Sequence, residues 1–371
     1  PMVHTVEEAR VILKLAKDNP KVVTQMGNQG HAGDGIRMTK EWIDAGAEYL
    51  RRMADHQHPD GYWPEGDGPT TLYNRVYVHA IGLQYAFFHD EKLLPALERA
   101  LDFHLHFTYP DGRMVETVDG RVRYHDTVSA QGWPGFLHLP KGRALVRRMM
   151  EALRTLKPEG GLEPHVTAGL LAWQDGPEGA IPQTSSLFTG NFHGRALVRR
   201  RGPWFVCMSG YPMTDAAFAG SFRARWHLDR QNYLSIWHER AGLIIGGGNS
   251  KHDPEASTFS LVQGRARLTQ ADFAKLDQTA EQDVGIFAYG ATRGIVAVRV
   301  LDDTKVQITL SAEGGPCENM LGLLSVRLRG GMAMATSQGE QVTLDPKSVW
   351  GAARPEEQTA ADFWVRSPNW A

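Results

Sequence analysis

The segment TLYNRVYVHAIGL places Tyr73, Asn74, Arg75, Tyr77 and His79 within one short stretch. Phenol, amide, guanidinium and imidazole groups are the side chains that move protons and neutralise carboxylates near neutral pH. On a helix Tyr73 and Tyr77 lie one turn apart with Asn74 on the same side, and Arg75 and His79 form a second i,i+4 pair. Such a face can line a cleft; it equally describes an aromatic stripe packed inside a helical hairpin. A second group, Glu116, Tyr124, His125 and Asp126, follows a Pro-Asp-Gly turn, and loops held by a scaffold are where chemistry collects. Turn formation with solvated charges explains the same residues. Farther on, His238 and Glu239 precede GGGNSK (Gly246–Lys251), whose glycines permit close backbone approach and whose Asn249 and Lys251 can reach an acidic ligand. A hairpin turn is the alternative. Trp63, Trp133 and Trp173 offer faces for stacking on sugar rings, although single tryptophans also serve as core.

These groups need elements to hold them. From Thr5 to Asp18 the residues Val6, Ala9, Ile12, Leu13 and Ala16 share one helical face, and Thr5 with Glu8 makes a capping box. Pro20 ends that helix, Lys21–Met26 predicts a short strand, and a helix follows from Ile36 to about Met53. The spacing predicts further helices over Leu72–Phe88, Glu91–Phe107 and Gly142–Leu156. HPDGYWPE (His58–Glu65) and YPDGRMVE (Tyr109–Glu116) share Pro-Asp-Gly and a later Glu, displaced by 51 positions. That period suits helical hairpins with loops, of which about two fit here. The equivalent pair Glu65 and Glu116 raises two-carboxylate hydrolysis as a possibility, though equal repeat positions more simply imply equal structural roles.

After Pro164 alternating and β-branched runs take over. Strands are expected at Trp204–Ser209, Asn232–His238, Gly242–Ile245, Thr258–Val262, Val284–Tyr289, Ile295–Leu301, Lys305–Ser311, Leu323–Leu328 and Gln341–Leu344, an all-β pattern that argues for a β-sandwich. The heptapeptide GRALVRR occurs twice and reads as helix at Gly142–Arg148 and as strand at Gly194–Arg200. The expected fold is therefore α+β and multidomain, with a first region at 1–47, helical hairpins at 48–160 and antiparallel strands at 161–371.

Composition narrows the function classes. Over 371 residues, 42% hydrophobic and 22% charged residues can form a sizeable core, and no apolar run approaches the roughly 18 residues of a membrane-spanning helix. Forty Lys+Arg against 42 Asp+Glu give a net charge of −2, which provides no broad basic field for nucleic acid. Cys207 and Cys317 alone make neither a disulfide framework nor a thiolate zinc site. His56/His58 and His104/His106 have ligand-like spacing but lack a matching third ligand, so no metal is expected. Arg143, Arg147, Arg148 and Arg154, with the run Arg199–Arg201, make basic faces that are either solvated or attract an acidic glycan. Fifteen His, 10 Trp and 10 Tyr suit carbohydrate binding. Compartment and oligomeric state stay open.

Two resemblances sharpen this picture. The string PMVHTVEEARVILKLAKDNPKVVTQMGNQGHAGDGIRMTKEWIDAGA (Pro1–Ala47) resembles the Gfo/Idh/MocA family of NAD(P)-dependent oxidoreductases. The resemblance implies a helix–strand–helix remnant of a Rossmann domain in which Gln25, Asn28 and His31 line the nicotinamide or substrate cleft. Pro1 aligns with the proline of that family's Lys-Pro motif, while the lysine and the glycine-rich pyrophosphate loop would lie upstream, so no cofactor is expected to bind. Residues 48–160 resemble the last hairpins of an (α/α) toroid, and 165–371 the sandwich that follows it in heparinase II/III-like polysaccharide lyases. A full six-hairpin toroid at this period needs roughly 300 residues. The expectation is a truncated or chimeric chain, joined near Ala45-Gly46-Ala47.

The second resemblance implies a carbohydrate-active protein with an acidic, uronate-containing polysaccharide or oligosaccharide as partner. Eliminative cleavage requires carboxylate neutralisation, a base for the C5 proton and an acid for the leaving oxygen. Asn74, Tyr77, His79, Glu116, Tyr124 and His125 are the candidate catalytic residues, with Trp63, Arg75, Asn249 and Lys251 as candidate substrate-binding residues. The alternatives are an NAD(P)-dependent sugar oxidoreductase fragment and a non-catalytic glycan-binding module.

Overall fold

A computed structural model describes residues 5–22, 34–64, 68–120, 124–125, 127–155, 164–211, 231–249, 257–264, 266–327, 332–336, 339, 341–343 and 363–366. The chain divides into two compact units, Pro1–Arg52 and Met53–Ala371. Helix α1 (Val6–Asp18) starts at the expected capping box: Glu8 N–H donates to Thr5 Oγ1 at 3.1 Å, and Thr5 N–H donates to Glu8 Oε2 at 3.2 Å. Helix α2 (Asp34–Asp55) runs unbroken through Ala45-Gly46-Ala47. Most of the strand expected at Lys21–Met26 lies outside the described residues, as do Gln25, Asn28 and His31.

In the second unit the helices follow the apolar periodicity. They are α3 (Thr71–Phe88), α4 (Leu94–His106), preceded by a 3-10 turn at Glu91–Leu93, α5 (Trp133–Phe136), α6 (Pro140–Thr155) and α7 (Pro164–Leu171). The start of α3 is capped from a distance. Asp119 Oδ2 accepts from Thr71 N at 2.5 Å, a carboxylate satisfying an orphan amide at the positive end of the helix. The short α5 and α7 were not expected from sequence, since four residues show no period and α7 lies where strands were foreseen.

Helices α3 and α5 meet backbone to backbone. A Cβ added at Gly82 would sit 2.2 Å from the Cα of Gly135, and one at Gly135 would sit 2.5 Å from the Val78 carbonyl oxygen. No side chain can rotate away from such a clash. Gly82→Ala is therefore expected to destabilise the protein by about 1–3 kcal/mol, read as a lower urea midpoint.

The strands form four antiparallel sheets among the described residues. β1 (Leu187–Phe192), β2 (Ala196–Arg201), β3 (Trp204–Ser209), β4 (Leu234–His238) and β5 (Gly242–Ile245) pair in sequence order. β6 (Phe259–Gln263) pairs with β7 (Ala266–Leu268), and β8 (Phe273–Gln278), β9 (Asp283–Tyr289), β10 (Thr292–Asp302) and β11 (Lys305–Gly314) form a four-stranded meander. β12 (Met320–Gly322) joins β6, while β13 (Ala333–Thr336) lies between β14 (Gln341–Thr343) and β15 (Phe363–Arg366). Of the run expected as a strand at Leu323–Leu328, the described residues make one bridge, Val326 to Ile245, flanked by bonds from Gly246 N to Ser325 O at 3.0 Å and from Arg327 N to Ile244 O at 2.8 Å. Its Leu324 and Val326 side chains pack on the core, so hydrophobicity there reflects burial with only a short pairing.

Both faces of the five-stranded sheet are covered, which explains why every residue of β3 is buried. Trp204, Val206 and Met208 point into one cluster with Phe259, Phe287, Val296 and Val298 of the other sheets. Phe205 and Cys207 point the opposite way, into a cluster with Phe103, Phe107 and Tyr109 from the helical side. This is the period-two alternation of a strand between two apolar layers. GRALVRR takes both forms: helical within α6, but at Gly194–Arg200 a turn at Gly194-Arg195 followed by β2.

The Pro-Asp-Gly repeat is one turn built twice. Gly61 N donates to His58 O at 2.8 Å and Gly112 N to Tyr109 O at 2.9 Å, with both glycines at positive φ. Each loop's aspartate reaches the sheet. Asp111 Oδ2 accepts from Trp237 Nε1 on β4 at 3.0 Å, and Asp60 meets His193 in the turn after β1.

Candidate functional site

Asp60 gathers the densest set of titratable groups beside an open cleft. Its carboxylate is buried, 6% exposed, in the first Pro-Asp-Gly turn. One oxygen hydrogen-bonds to Nδ1 of His193. The other accepts from the Tyr211 hydroxyl at 3.3 Å and lies 3.6 Å from both Arg195 Nε and His58 Nδ1. The ring of His58 stacks on Tyr62 at 4.5 Å, Tyr62 meets Tyr211 edge-on at 6.1 Å, and the Arg195 guanidinium lies 5.8 Å from the Tyr211 ring centroid. The adjoining cleft, of about 320 Å³, is lined by Pro59, Asp60, Glu98, Arg99, Asp102 and His193.

The β1–β2 turn explains how His193 arrives there. Arg195 N donates to Phe192 O at 2.8 Å, and both central residues, His193 and Gly194, have positive φ (51° and 71°). That is the turn whose twist suits a hairpin, and glycine and asparagine are its usual occupants. A histidine there carries a conformational cost, offset by the bond to Asp60 and by stacking on Phe192 with centroids 4.6 Å apart. Burial and the Asp60 charge act on three of these neighbours. Burial pushes His58 down against the opposing pull of Asp60. Burial and then the Asp60 charge push Tyr62 up to about 12 and Tyr211 up further still. Neither phenol ionises at neutral pH.

The residues singled out from sequence are distributed differently. Asn74 is fully buried: Oδ1 accepts from Trp63 N at 3.3 Å, and Nδ2 donates to Gly61 O at 3.3 Å and to His104 Nε2 at 3.1 Å. It holds the first Pro-Asp-Gly loop against α3 and α4. Arg75, equally buried, donates to the Ser129 carbonyl at 2.8 Å. Tyr77 stacks on the buried Trp63 at 5.1 Å. His79 accepts from Gly132 N at 3.4 Å and meets His165 edge-on at 5.0 Å; burial lowers its basicity. The Tyr73/Tyr77/Asn74 grouping is split, since Tyr73 is exposed.

Glu116 is the centre of a second, buried network. Oε1 accepts from Ser235 Oγ at 2.8 Å and from Gly247 N at 3.1 Å, and Oε2 accepts from the Tyr109 hydroxyl at 2.9 Å. The Thr117 hydroxyl bonds to that of Ser235. Burial raises the Glu116 carboxyl above its ordinary range, with the hydrogen bonds opposing. Asn249 belongs to the same assembly: Nδ2 donates to the carbonyls of Asp119 at 2.7 Å and Thr117 at 3.3 Å, and Oδ1 accepts from Asn232 N at 2.6 Å. The triple glycine is needed here for packing, since a Cβ on Gly246 would lie 2.6 Å from Glu116 Oε1. Tyr124 N donates to Gly247 O at 2.8 Å and its ring lies under the Arg327 guanidinium, while His125 is half-buried beside it. Glu65, Asp126 and Lys251 lie outside the described residues.

Most of the expected basic faces are spent on internal bonds, with Arg154 and Arg201 exposed. Arg143 donates to the carbonyls of Pro177 and Leu137, Arg147 pairs with Glu178, and Arg148 donates to Pro110 O. Arg199 forms a buried two-pronged pair with Asp283, and Arg200 pairs with Glu239. His238 is buried against Trp204, with Nε2 3.2 Å from Asp303 O. Trp133 is core, and Trp173 donates to Asp175 at 3.2 Å. Among the described residues, no group of three His, Cys, Asp or Glu is arranged to hold a metal ion, and no helix is long and apolar enough to cross a membrane.

Sequence reasoning missed Asp60, His193, Arg195 and Tyr211 as a group. The repeat had marked Asp60's turn, and His-Gly between Asn191-Phe192 and the apolar Ala196-Leu197-Val198 was a hairpin signal. No protein-family model and no curated protein matches the chain.

Proposed function

We propose that this chain is a carbohydrate-active protein related to polysaccharide lyases that act on uronate-containing glycans. On this reading the helical layer is a shortened (α/α) toroid and the facing antiparallel sheets are a β-sandwich. The observation that carries it is the meeting of imidazole, guanidinium and phenol on the Asp60 carboxylate, at a cleft where a helical loop joins a sheet turn. Elimination needs a base and a cation placed near a sugar carboxylate, and His193 with Arg195 or Arg99 supplies both types.

Asp60, Glu98 and Asp102 line the same cleft against Arg99, so its lining is net acidic even with Arg195 beside Asp60. Recognition of an acidic sugar then depends on individually placed cations and not on a broad positive field. Incubation with uronate polymers is expected to raise the ultraviolet absorbance of an unsaturated uronate product, and His193→Ala is expected to abolish that rise. Glycan binding without any such absorbance would favour a non-catalytic module instead.

A further inference from the structure

From the Asp60 geometry we infer that Asp60 is a positioning residue, which holds His193 as the Nδ1–H tautomer and presents its bare Nε2 to the cleft as the base. The inference deepens the lyase reading and, in its catalytic half, rests on it. A carboxylate bonded to one ring nitrogen of a histidine fixes the proton there and leaves the other nitrogen as acceptor. His193 bonds to Asp60 through Nδ1, and its side chain, about half exposed, lines the cleft beside Asp60.

Three further features support orientation over simple packing. Asp60 is itself fixed: its N–H donates to His58 Nδ1 at 3.1 Å, and the Tyr211 hydroxyl donates to its second oxygen. Arg195 Nε lies 3.6 Å from that oxygen, which places a cation on the side of Asp60 away from His193's bond. Finally, His193 occupies a left-handed turn position that glycine or asparagine would fill without an imidazole, and such strain at a cleft is a marker of a functional constraint.

In the elimination, His193 Nε2 takes the C5 proton, and the C5–H electron pair becomes the C4–C5 double bond. The C4–O bond breaks, its electron pair stays on the leaving oxygen, and that oxygen takes a proton from water. The imidazolium then returns its proton to solvent. Asp60 remains an anion throughout, stabilising the imidazolium as it forms.

The test uses the full chain and the conservative variant Asp60→Asn. Nitrogen-15 NMR of the histidine rings reads the tautomer without any turnover. Wild type is expected to show His193 protonated at Nδ1, and Asp60→Asn to shift it toward the Nε2–H form. With a uronate polymer, Asp60→Asn is expected to lose about 10²–10⁴-fold in turnover. Circular dichroism and the urea midpoint separate misfolding from misorientation.

An unchanged tautomer in a folded Asp60→Asn overturns the positioning role. The expected tautomers with no polymer cleaved by wild type overturn the lyase reading and the base role alone, leaving the orientation of His193 established.

Discussion

Arg199→Ala is expected to destabilise the protein by about 3–5 kcal/mol, enough to bring a marginally stable domain close to its unfolding limit. Arg199 lies on β2, 5% exposed, and bonds both oxygens of Asp283 on β9 at 2.9 Å, with further bonds to the carbonyls of Thr279 and Ala280. Removing the guanidinium strands a carboxylate that is 1% exposed and leaves those carbonyls without their donor. The cost is a consequence of breaking the pair and not a measure of what the pair contributes. The double variant Arg199→Met with Asp283→Leu should therefore recover most of the loss. Urea midpoints of the three proteins check this, and a double variant as unstable as Arg199→Ala would show that the ion pair itself supplies the stability.

Glu116→Ala comes next, with an expected loss of about 3 kcal/mol or more. It would leave the Tyr109 hydroxyl and the Gly247 amide as buried donors without this acceptor, and the Ser235 hydroxyl with only that of Thr117. Glu116→Gln keeps the volume and an acceptor oxygen and should cost much less. The pair also has a defined pH signature. Burial holds the Glu116 carboxyl above its unfolded value, so its contribution is fully present below the ordinary carboxylate range and is lost as pH rises through the folded value. The stability of wild type relative to Glu116→Gln should consequently increase on acidification and fall toward neutral pH. Parallel urea titrations across that range are the measurement; a difference independent of pH would mean that the Glu116 carboxyl titrates alike in the folded and the unfolded chain.

Local pattern made the framework readable because its signals act over one helical turn or two strand residues. The Thr5/Glu8 box, the periodic helix over 72–88 and the alternating strands at Trp204–Ser209 and Gly242–Ile245 all appear close to where they were expected. Failures came where local text and tertiary role diverge. Trp133–Phe136 is too short for a period, Phe273–Gln278 leaves Phe273 exposed beside Lys275 and Asp277, and the run from Leu323 pairs through one bridge only.

The site was less legible than the fold. Asp60 and His193 are 133 positions apart, and nothing in either segment encodes the other. Asn74, Arg75 and Asn249 attracted notice because polar residues in an apolar helix or a glycine turn signal purpose. Their purpose in the structure is to satisfy backbone groups of the Pro-Asp-Gly loops and the segment after Glu116. A composition rich in hydrogen-bonding side chains looks the same whether those groups serve a ligand or the chain itself.

The duplicated Pro-Asp-Gly turn has a mechanical meaning. One attachment between a helical layer and a sheet would act as a pivot; Asp60 at the β1–β2 turn and Asp111 at Trp237 of β4 make two, on different strands. Two separated fixings define a line, and the layer cannot swivel about either without straining the other. The aperture between α4 and the hairpin is thereby set by the frame itself. Whatever enters the cleft must fit a gap of fixed width, and selection by girth follows without any gate.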